Sequence, residues 1–303
     1  MMLLDLAKKS KAVLKPFSYL DVLLYYSAIA QNKNVQRYVK GKEIAAKIWL
    51  PNPKAMPFFI KRGSKDQPLF IEEFSSVNEE FLKLRTQKLQ DVQNELSKQQ
   101  QKIWSYFVPR KLIDFFYATN NEGQGKDIER IFLDIDRQNI QPQIAQQAAK
   151  ELILQIQNDS NFKRFKPFKI FPMWTGSSFH IYVMLTRKIK NTVYDKEIAY
   201  KKDTPLESFT GRWASAIKEK IKNVIAAHEK KPGFINIDPS QTPSGKLARA
   251  PFSLHMKSPN EVDGIAIPLT AKDLDDKKLI NTLSSYTPNK IISQLNMLAK
   301  KLP

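Results

Sequence analysis

Short apolar runs, some unbroken and some alternating with polar residues, fill the middle of the chain, and segments of helical spacing separate them. Residues 112–118 predict a strand, 120–125 a turn and 131–136 a second strand. Pro142 fits the first turn of a helix, and Ile144, Ala148, Leu152 and Ile156 space out its inner face. Residues 168–173 and 179–185 predict two more strands. Thr204-Pro205-Leu206-Glu207 reads as a capping box. The helix it opens turns Phe209, Trp213, Ile217, Ile221 and Val224 inward and ends at His228, where an imidazolium is ordinary. His228 therefore carries no expected chemistry. Residues 233–270 return to strand and loop, and 288–303 predict a final amphipathic helix. Upstream, residues 20–30 predict a buried helix with Ser18 as its N-cap. Pro51, Pro53, Pro57 and Pro68 then break the chain into strands and loops. Residues 77–103 predict a long Gln- and Lys-rich helix with Leu89, Val92 and Leu96 on its apolar face. No internal repeat is visible. The expected class is α/β in the broad α+β sense: mixed β-sheets flanked by helices, in a single 1–303 unit. Within it, 1–110 forms an N-terminal α/β extension and 111–303 the core.

Charge narrows the partners. Lys and Arg number 49 against 30 Asp and Glu, a net +19. Such a surplus favours a polyanion, with nucleic acid ahead of an anionic membrane surface, although solubility alone also accounts for it. No run approaches the roughly 18 apolar residues of a spanning helix. Met1-Met2-Leu3-Leu4-Asp5 lacks the charged start of a signal peptide. The expectation is a cytoplasmic chain without a membrane partner. There is no cysteine, which removes disulfides, thiolate metal sites and thiol nucleophiles. Three histidines (His180, His228, His255) are too few for an all-His zinc site with spacing to spare.

Candidate chemistry begins at Ile131-Phe132-Leu133-Asp134-Ile135-Asp136. On a strand, side chains two apart point the same way, about 7 Å apart. Two acids on one face at a strand end can hold two divalent cations, Mg²⁺ or Mn²⁺, for two-metal phosphoryl transfer. Alone, the pair also fits an ordinary strand-to-loop exit. Asp238 ends another apolar run before Pro239 and is the natural third carboxylate. Trp174-Thr175-Gly176-Ser177-Ser178-Phe179-His180 runs a Gly- and hydroxyl-containing turn into a strand, so backbone N–H groups and serine hydroxyls can cradle phosphate oxygens, with His180 nearby. Lys246, Arg249, His255 and Lys257 concentrate positive charge that suits a triphosphate or, equally, a basic surface strand. Phe58 and Phe59 can stack on an unpaired base or pack one on each side of a strand.

The order Asp-x-Asp, Ser-x-His, apolar-Asp resembles the signature of the archaeo-eukaryotic primase superfamily. Leu247 to Lys257 (LARAPFSLHMK) is similar to the Arg-x-Pro-x-Ser-Leu-His-x-Lys run of archaeal primase small subunits, where His and Lys face the triphosphate. Lys11-Ala12-Val13-Leu14-Lys15-Pro16, Ser18-Tyr19-Leu20-Asp21-Val22 and Tyr25-Tyr26 resemble the opening of the polymerase domain of bacterial DNA ligase D, which polymerises at broken ends in non-homologous end joining. Trp49-Leu50-Pro51-Asn52, Phe58-Phe59-Ile60-Lys61, Asp238-Pro239-Ser240-Gln241, Ala250-Pro251-Phe252-Ser253 and Ile267-Pro268-Leu269-Thr270 match further segments of that family. The resemblance implies a primase-type core and a gap-filling, template-dependent nucleotidyltransferase that favours ribonucleotides. It assigns catalysis and metal binding to Asp134, Asp136 and Asp238. It assigns nucleotide binding (NTP or dNTP) to Ser177, Ser178, His180, Gln241, Arg249, His255 and Lys257. DNA binding falls to Lys11, Lys15, Phe58, Phe59 and Lys61, with Lys11 on a downstream 5′-phosphate. Ku and a separate DNA ligase are the implied protein partners, since no ligase or nuclease domain is present. The chain departs from ligase D in three places: the loop at 175–180 is shortened, His255 stands where ligase D has Arg, and Tyr19 takes the place of a phosphate-binding lysine. A replicative or plasmid primase would use the same acids but usually carries a zinc stem, which the missing cysteines exclude. A non-catalytic nucleic-acid-binding module would keep the charge without needing three acids.

Overall fold

The computed structural model describes residues 3–10, 22–50 and 57–303, with only the backbone of Lys257. Lys11, Lys15, Ser18, Tyr19, Pro51 and Asn52 lie outside the described residues. The strands in chain order are β1 (Ile44–Trp49), β2 (Phe58–Arg62), β3 (Ile113–Ala118), β4 (Ile128–Asp136), β5 (Phe168–Trp174) and β6 (Phe179–Ile189). They continue with β7 (Val224–Ala226), β8 (Ile235–Asp238), β9 (Leu247–Arg249), β10 (Leu254–Ser258), β11 (Glu261–Ile265) and β12 (Ile267–Pro268). The chain forms two compact units, and neither is continuous in sequence. Unit 1 gathers Met1–Tyr117, Arg249–Ala266 and Tyr286–Leu302, and unit 2 gathers Ala118–Ala248 and Ile267–Ser285.

Unit 2 is built on a six-stranded sheet of order β12-β5-β6-β4-β8-β7. Its pairings are antiparallel except for the parallel β7/β8 edge. β4 sits well inside, which is why it reads as apolar on both faces. Ile131, Leu133 and Ile135 are fully buried on one side, with Phe132 buried on the other. The helix Pro142–Asn158 packs against β4, β6 and the helix Phe209–Lys218. Its buried stripe is Ala145, Ala148, Ala149, Leu152, Ile153 and Ile156, so the inner face is turned from the predicted one and Ile144 is exposed. Burying Leu152, Ile153 and Ile156 stabilises by about 1.5–3 kcal/mol each.

The region of the predicted second helix differs more. Thr204 makes no cap hydrogen bond, and residues 205–207 form a 3₁₀ turn. Ser208 is the N-cap, accepting from the Gly211 N–H at 3.0 Å. The helix stops at Lys218, and Val224 lies in β7, so His228 belongs to the β7–β8 loop and not to a helix end. Spacing continued the helix through Ile221 and Val224 because a short buried strand offers the same apolar side chains.

Unit 1 holds a sheet of order β2-β1-β3-β9 and a β10–β11 ribbon. β2, β1 and β3 run antiparallel, with Ile48 opposite both Phe59 and Ile113. Tyr26, Phe74, Phe107 and Phe115 form its aromatic core, with neighbouring ring centroids 5.2–6.2 Å apart. The helices Leu3–Lys9, Val22–Ala30 and Pro288–Leu298 pack together. The predicted 77–103 helix is broken into Glu79–Leu84, Leu89–Val92 and Lys98–Tyr106. Asn78 and Ser97 each cap a new start, Ser97 in a reciprocal capping box with Gln100. Val92 and Leu96 are buried while Leu89 is exposed. Among the described residues no helix is long and apolar enough to cross a membrane.

Candidate active site

The three predicted carboxylates share one end of one sheet face in unit 2. Asp134 on β4 lies directly opposite Asp238 on β8 and opposite His180 on β6. Directly opposed residues project from the same face, with Cα atoms about 4.5–5.5 Å apart. Asp136, two residues on, points the same way. The row Asp238–Asp134–His180 thus crosses three strands, and the apolar bodies of β4, β6 and β8 fix it.

Each carboxylate has its own polar partners. The His180 Nε2 lies 3.4 Å from Asp134 Oδ1. The His180 ring packs edge-on against Phe132 at 4.6 Å, and its Nδ1 lies 3.4 Å from the Tyr182 hydroxyl. Asp136 accepts from the Gln138 backbone N–H and side-chain amide through Oδ1. Its Oδ2 lies 2.6 Å from the Lys230 ammonium. Asp238 accepts from the Ser240 N–H at 2.8 Å and its hydroxyl at 2.9 Å, and His228 Nδ1 lies 3.0 Å from Oδ2. The hydrogen bond to Asp136 pushes the Lys230 pKa up, and the charges of Asp136 and Asp134 add to it. Burial, then the charges of Asp238 and Asp195, push the Tyr194 phenol up.

Backbone register and side-chain placement offer different things here. The register collects three hard oxygen donors on one face, a donor set that suits Mg²⁺ or Mn²⁺. Yet among the described residues no three His, Asp or Glu side chains converge on a common point. Each carboxylate is engaged by its own partners, Lys230 on Asp136 and His228 on Asp238 among them. Those two residues were not expected at the site: they come from the β7–β8 loop, which has no periodicity to read.

The loop before β6 is a tight turn closed by Thr175 N–H to Ser178 O at 2.9 Å and Ser178 N–H to Thr175 Oγ1 at 3.0 Å. Gly176 occupies the left-handed region at φ 104°. The buried Ser178 hydroxyl donates to the Ile135 carbonyl, so its proton locks the turn onto β4. Any phosphate cradle here depends on backbone N–H groups and not on the Ser178 hydroxyl. Arg137 Nε donates to the Ser177 carbonyl at 2.7 Å and ties the same turn to the end of β4. Gln241 follows Asp238 in the turn closed by Thr242 N–H to Pro239 O at 2.9 Å.

The remaining expected residues lie in unit 1. Arg249 is buried, and its guanidinium reaches Asp114 Oδ2 at 3.3 and 3.4 Å and the Leu254 carbonyl at 2.6 Å. Lys47 meets the same Asp114 oxygen at 2.8 Å, and the Trp49 indole donates to the other at 3.3 Å. Both cations lie over the Phe116 ring. His255 Nδ1 lies 2.6 Å from Asp263 Oδ1, and Lys257 is on β10. Phe58 packs edge-on against Trp49, whereas Phe59, on the other side of β2, is 41% exposed. Sequence missed Asp114, a single acid inside a strand otherwise read as apolar.

No protein-family model and no curated protein matches the chain. Its fold is similar to that of the polymerase domain of Mycobacterium tuberculosis ligase D, solved in complex with DNA. The TM-score is 0.55 at 15% sequence identity over 96% of each chain. The chain therefore has the mixed α+β fold of that polymerase domain, with several sheets flanked by helices.

Proposed function

We propose that the chain is a template-dependent nucleotidyltransferase that fills short gaps at DNA ends in end joining and prefers ribonucleotides. The observation that carries this reading is the opposition of Asp134 and Asp238, with Asp136 on the same face, in a chain with a polymerase-domain fold. Three aligned carboxylates at one end of a sheet face have little structural use, since their mutual repulsion must be offset. Asp134, Asp136 and Asp238 would hold Mg²⁺ or Mn²⁺. When bound, the ions activate a primer 3′-hydroxyl and neutralise charge developing at the α-phosphate.

The chain's own residues set the geometry. His180 orients Asp134 from the neighbouring strand, and Arg137 and Ser178 pin the 175–178 turn so that its N–H groups keep their direction. Lys230 balances the charge of Asp136. Arg249 acts through the 249–254 segment, whose Leu254 carbonyl it holds, so it is a positioning residue in this reading. His255, Lys257 and Gln241 are the further nucleotide contacts, and Lys11, Lys15, Phe58, Phe59 and Lys61 the DNA contacts. Ku and a DNA ligase activity are the proposed partners.

The test is primer extension in Mn²⁺ and in Mg²⁺, on a short gap with a downstream 5′-phosphate and on an unprimed single strand. Addition of one or a few ribonucleotides at the gap, stimulated by the phosphate and abolished in Asp134→Ala, is the expected result. Unchanged incorporation by Asp134→Ala would remove the carboxylates from catalysis. Synthesis on the unprimed strand without phosphate dependence would make the chain a primase.

A further inference from the structure

The reading above gives His255 a triphosphate to bind but has no use for its carboxylate partner. The pair lies on the β10–β11 ribbon of unit 1, with His255 Nδ1 2.6 Å from Asp263 Oδ1. The two side chains are largely covered, His255 at 19% exposure and Asp263 at 12%. The strand register explains why they meet. Leu254 lies opposite Ile265 and His255 opposite Gly264, but Met256 lies opposite Val262. One residue of β11, Asp263, is therefore extra, and the ribbon bulges there. A regular ladder would pair residue 263 with Met256 and send its carboxylate to the face on which Met256 is buried. The bulge re-aims it at His255, and Gly264, directly opposite His255, brings no side chain of its own.

The start of β10 is fixed as well. The Leu254 N–H donates to the Tyr26 hydroxyl at 3.1 Å, and the Leu254 carbonyl accepts from Arg249 at 2.6 Å. The ionisable groups of the ribbon are His255, Lys257, Glu261 and Asp263, and Tyr26 and Arg249 reach it at Leu254. A carboxylate only accepts, so the hydrogen between His255 and Asp263 sits on Nδ1. A neutral imidazole carries one N–H, which leaves Nε2 with a lone pair that cannot donate to a phosphate oxygen. Nε2 becomes a donor only when both ring nitrogens are protonated, and anions on the two sides of the ring favour that form.

We propose that Asp263 is a positioning residue for nucleotide binding: through Nδ1–H it fixes the His255 ring, and it supports the second ring proton with which Nε2 holds a triphosphate oxygen. The inference rests on the reading of His255 as a nucleotide contact, and it adds a residue and a protonation state which that reading does not contain. Plain electrostatics predicts the opposite sign, since removing a negative charge near an anion should tighten its binding.

Calorimetric titration of the full chain with Mg²⁺-ATP at about pH 6 and pH 8, on either side of the ordinary histidine pKa, tests it. The variants are Asp263→Asn, His255→Ala and the two combined. His255→Ala is expected to weaken ATP about tenfold at the lower pH, and it supplies the baseline for any pH dependence that does not come from this ring. Asp263→Asn keeps an acceptor of the same size but not the charge. It is expected to weaken ATP about tenfold at the higher pH and much less at the lower, where a histidine takes up its second proton unaided. In the His255→Ala background, Asp263→Asn should cause no further loss, because it acts through the ring. Tighter or unchanged binding by Asp263→Asn at the higher pH would overturn the proposal. So would equal losses at both pH values, the mark of a structural defect, or a further loss in the combined variant. ATP binding that His255→Ala leaves intact at both pH values would remove the nucleotide contact and this inference together. The polymerase reading would still be decided separately, by the Asp134→Ala extension assay.

Discussion

Replacing Asp114 with asparagine should destabilise the protein by about 3–5 kcal/mol, the cost of leaving buried charges without their counter-ion. Asp114 is fully buried, and the side chains of Lys47 and Arg249 beside it are only 15% and 10% exposed. One carboxylate therefore serves two cations. The amide is nearly the same size and can still accept from the Trp49 indole, so little packing is lost and the charge term dominates. A few kcal/mol is a large share of the 5–15 kcal/mol that holds a typical domain. The Phe116 ring faces both cations and offsets part of the loss, about 0.5–2 kcal/mol. Urea unfolding followed by tryptophan fluorescence reads the change directly. Adding Lys47→Met to Asp114→Asn should recover a substantial part of the loss, since one of the two stranded cations is then gone. Asp114→Asn within about 1 kcal/mol of wild type would refute the reasoning, placing the pair in the range of exposed ion pairs.

Lys230→Met should tighten Mn²⁺ binding about fivefold in a calorimetric titration. The ammonium competes for Asp136, but its side chain is 70% exposed, which limits the pair to about 1 kcal/mol. Unchanged affinity would mean that Lys230 does not compete with the ion. Gly211→Ala should lower stability by several kcal/mol, since a Cβ there would lie 1.9 Å from the Pro205 carbonyl oxygen, and a melting temperature equal to wild type would contradict this close approach. Burial pushes the phenols of Tyr25, Tyr26 and Tyr194 up; nearby charges add to it at Tyr25 and Tyr194, whereas at Tyr26 the hydrogen bonds of Leu254 and Ser253 and the charge of Arg249 oppose it. Their neutral forms are favoured in the folded state, so their contribution is complete below the unfolded tyrosine pKa of about 10 and is lost as pH rises above it. The urea midpoint should fall between about pH 9 and 11. Tyrosinate absorbance of the native chain at the upper pH should lack these three groups, and full ionisation without unfolding would refute the burial account.

What sequence reveals depends on how local the cause is. β4 was legible because alternation along a single strand is local, and so the two acids at its end were placed correctly on one face. The opposition of Asp134 and Asp238 was not legible, because a cross-strand register depends on pairing over a long stretch of chain. His228 shows the opposite failure. Apolar residues at 217, 221 and 224 keep helical spacing, but Val224 pairs with Ile235 in a parallel strand, and the chain then loops back to bring His228 to Asp238. Propensity ran the Gln- and Lys-rich stretch together as one helix, and only the cap hydrogen bonds of Asn78 and Ser97 show where each piece starts. Arg249 reads as a nucleotide contact from its charge and its resemblance segment; its buried partner Asp114 lies 135 residues earlier, beyond any local reading.

The interleaving of the two units carries a consequence for biosynthesis. The helix Pro288–Leu298 packs against Leu3–Lys9 and Val22–Ala30, so unit 1 lacks part of its core until the last of its segments has left the ribosome. The intervening stretch takes about 13–50 s to translate at roughly 5–20 residues per second. For that interval the aromatic face around Tyr26 and Phe115 is made but incompletely covered, whereas most of unit 2 is already complete. The nascent chain thus exposes unfinished apolar surface at its N-terminal end, while the carboxylate-bearing sheet can already be complete.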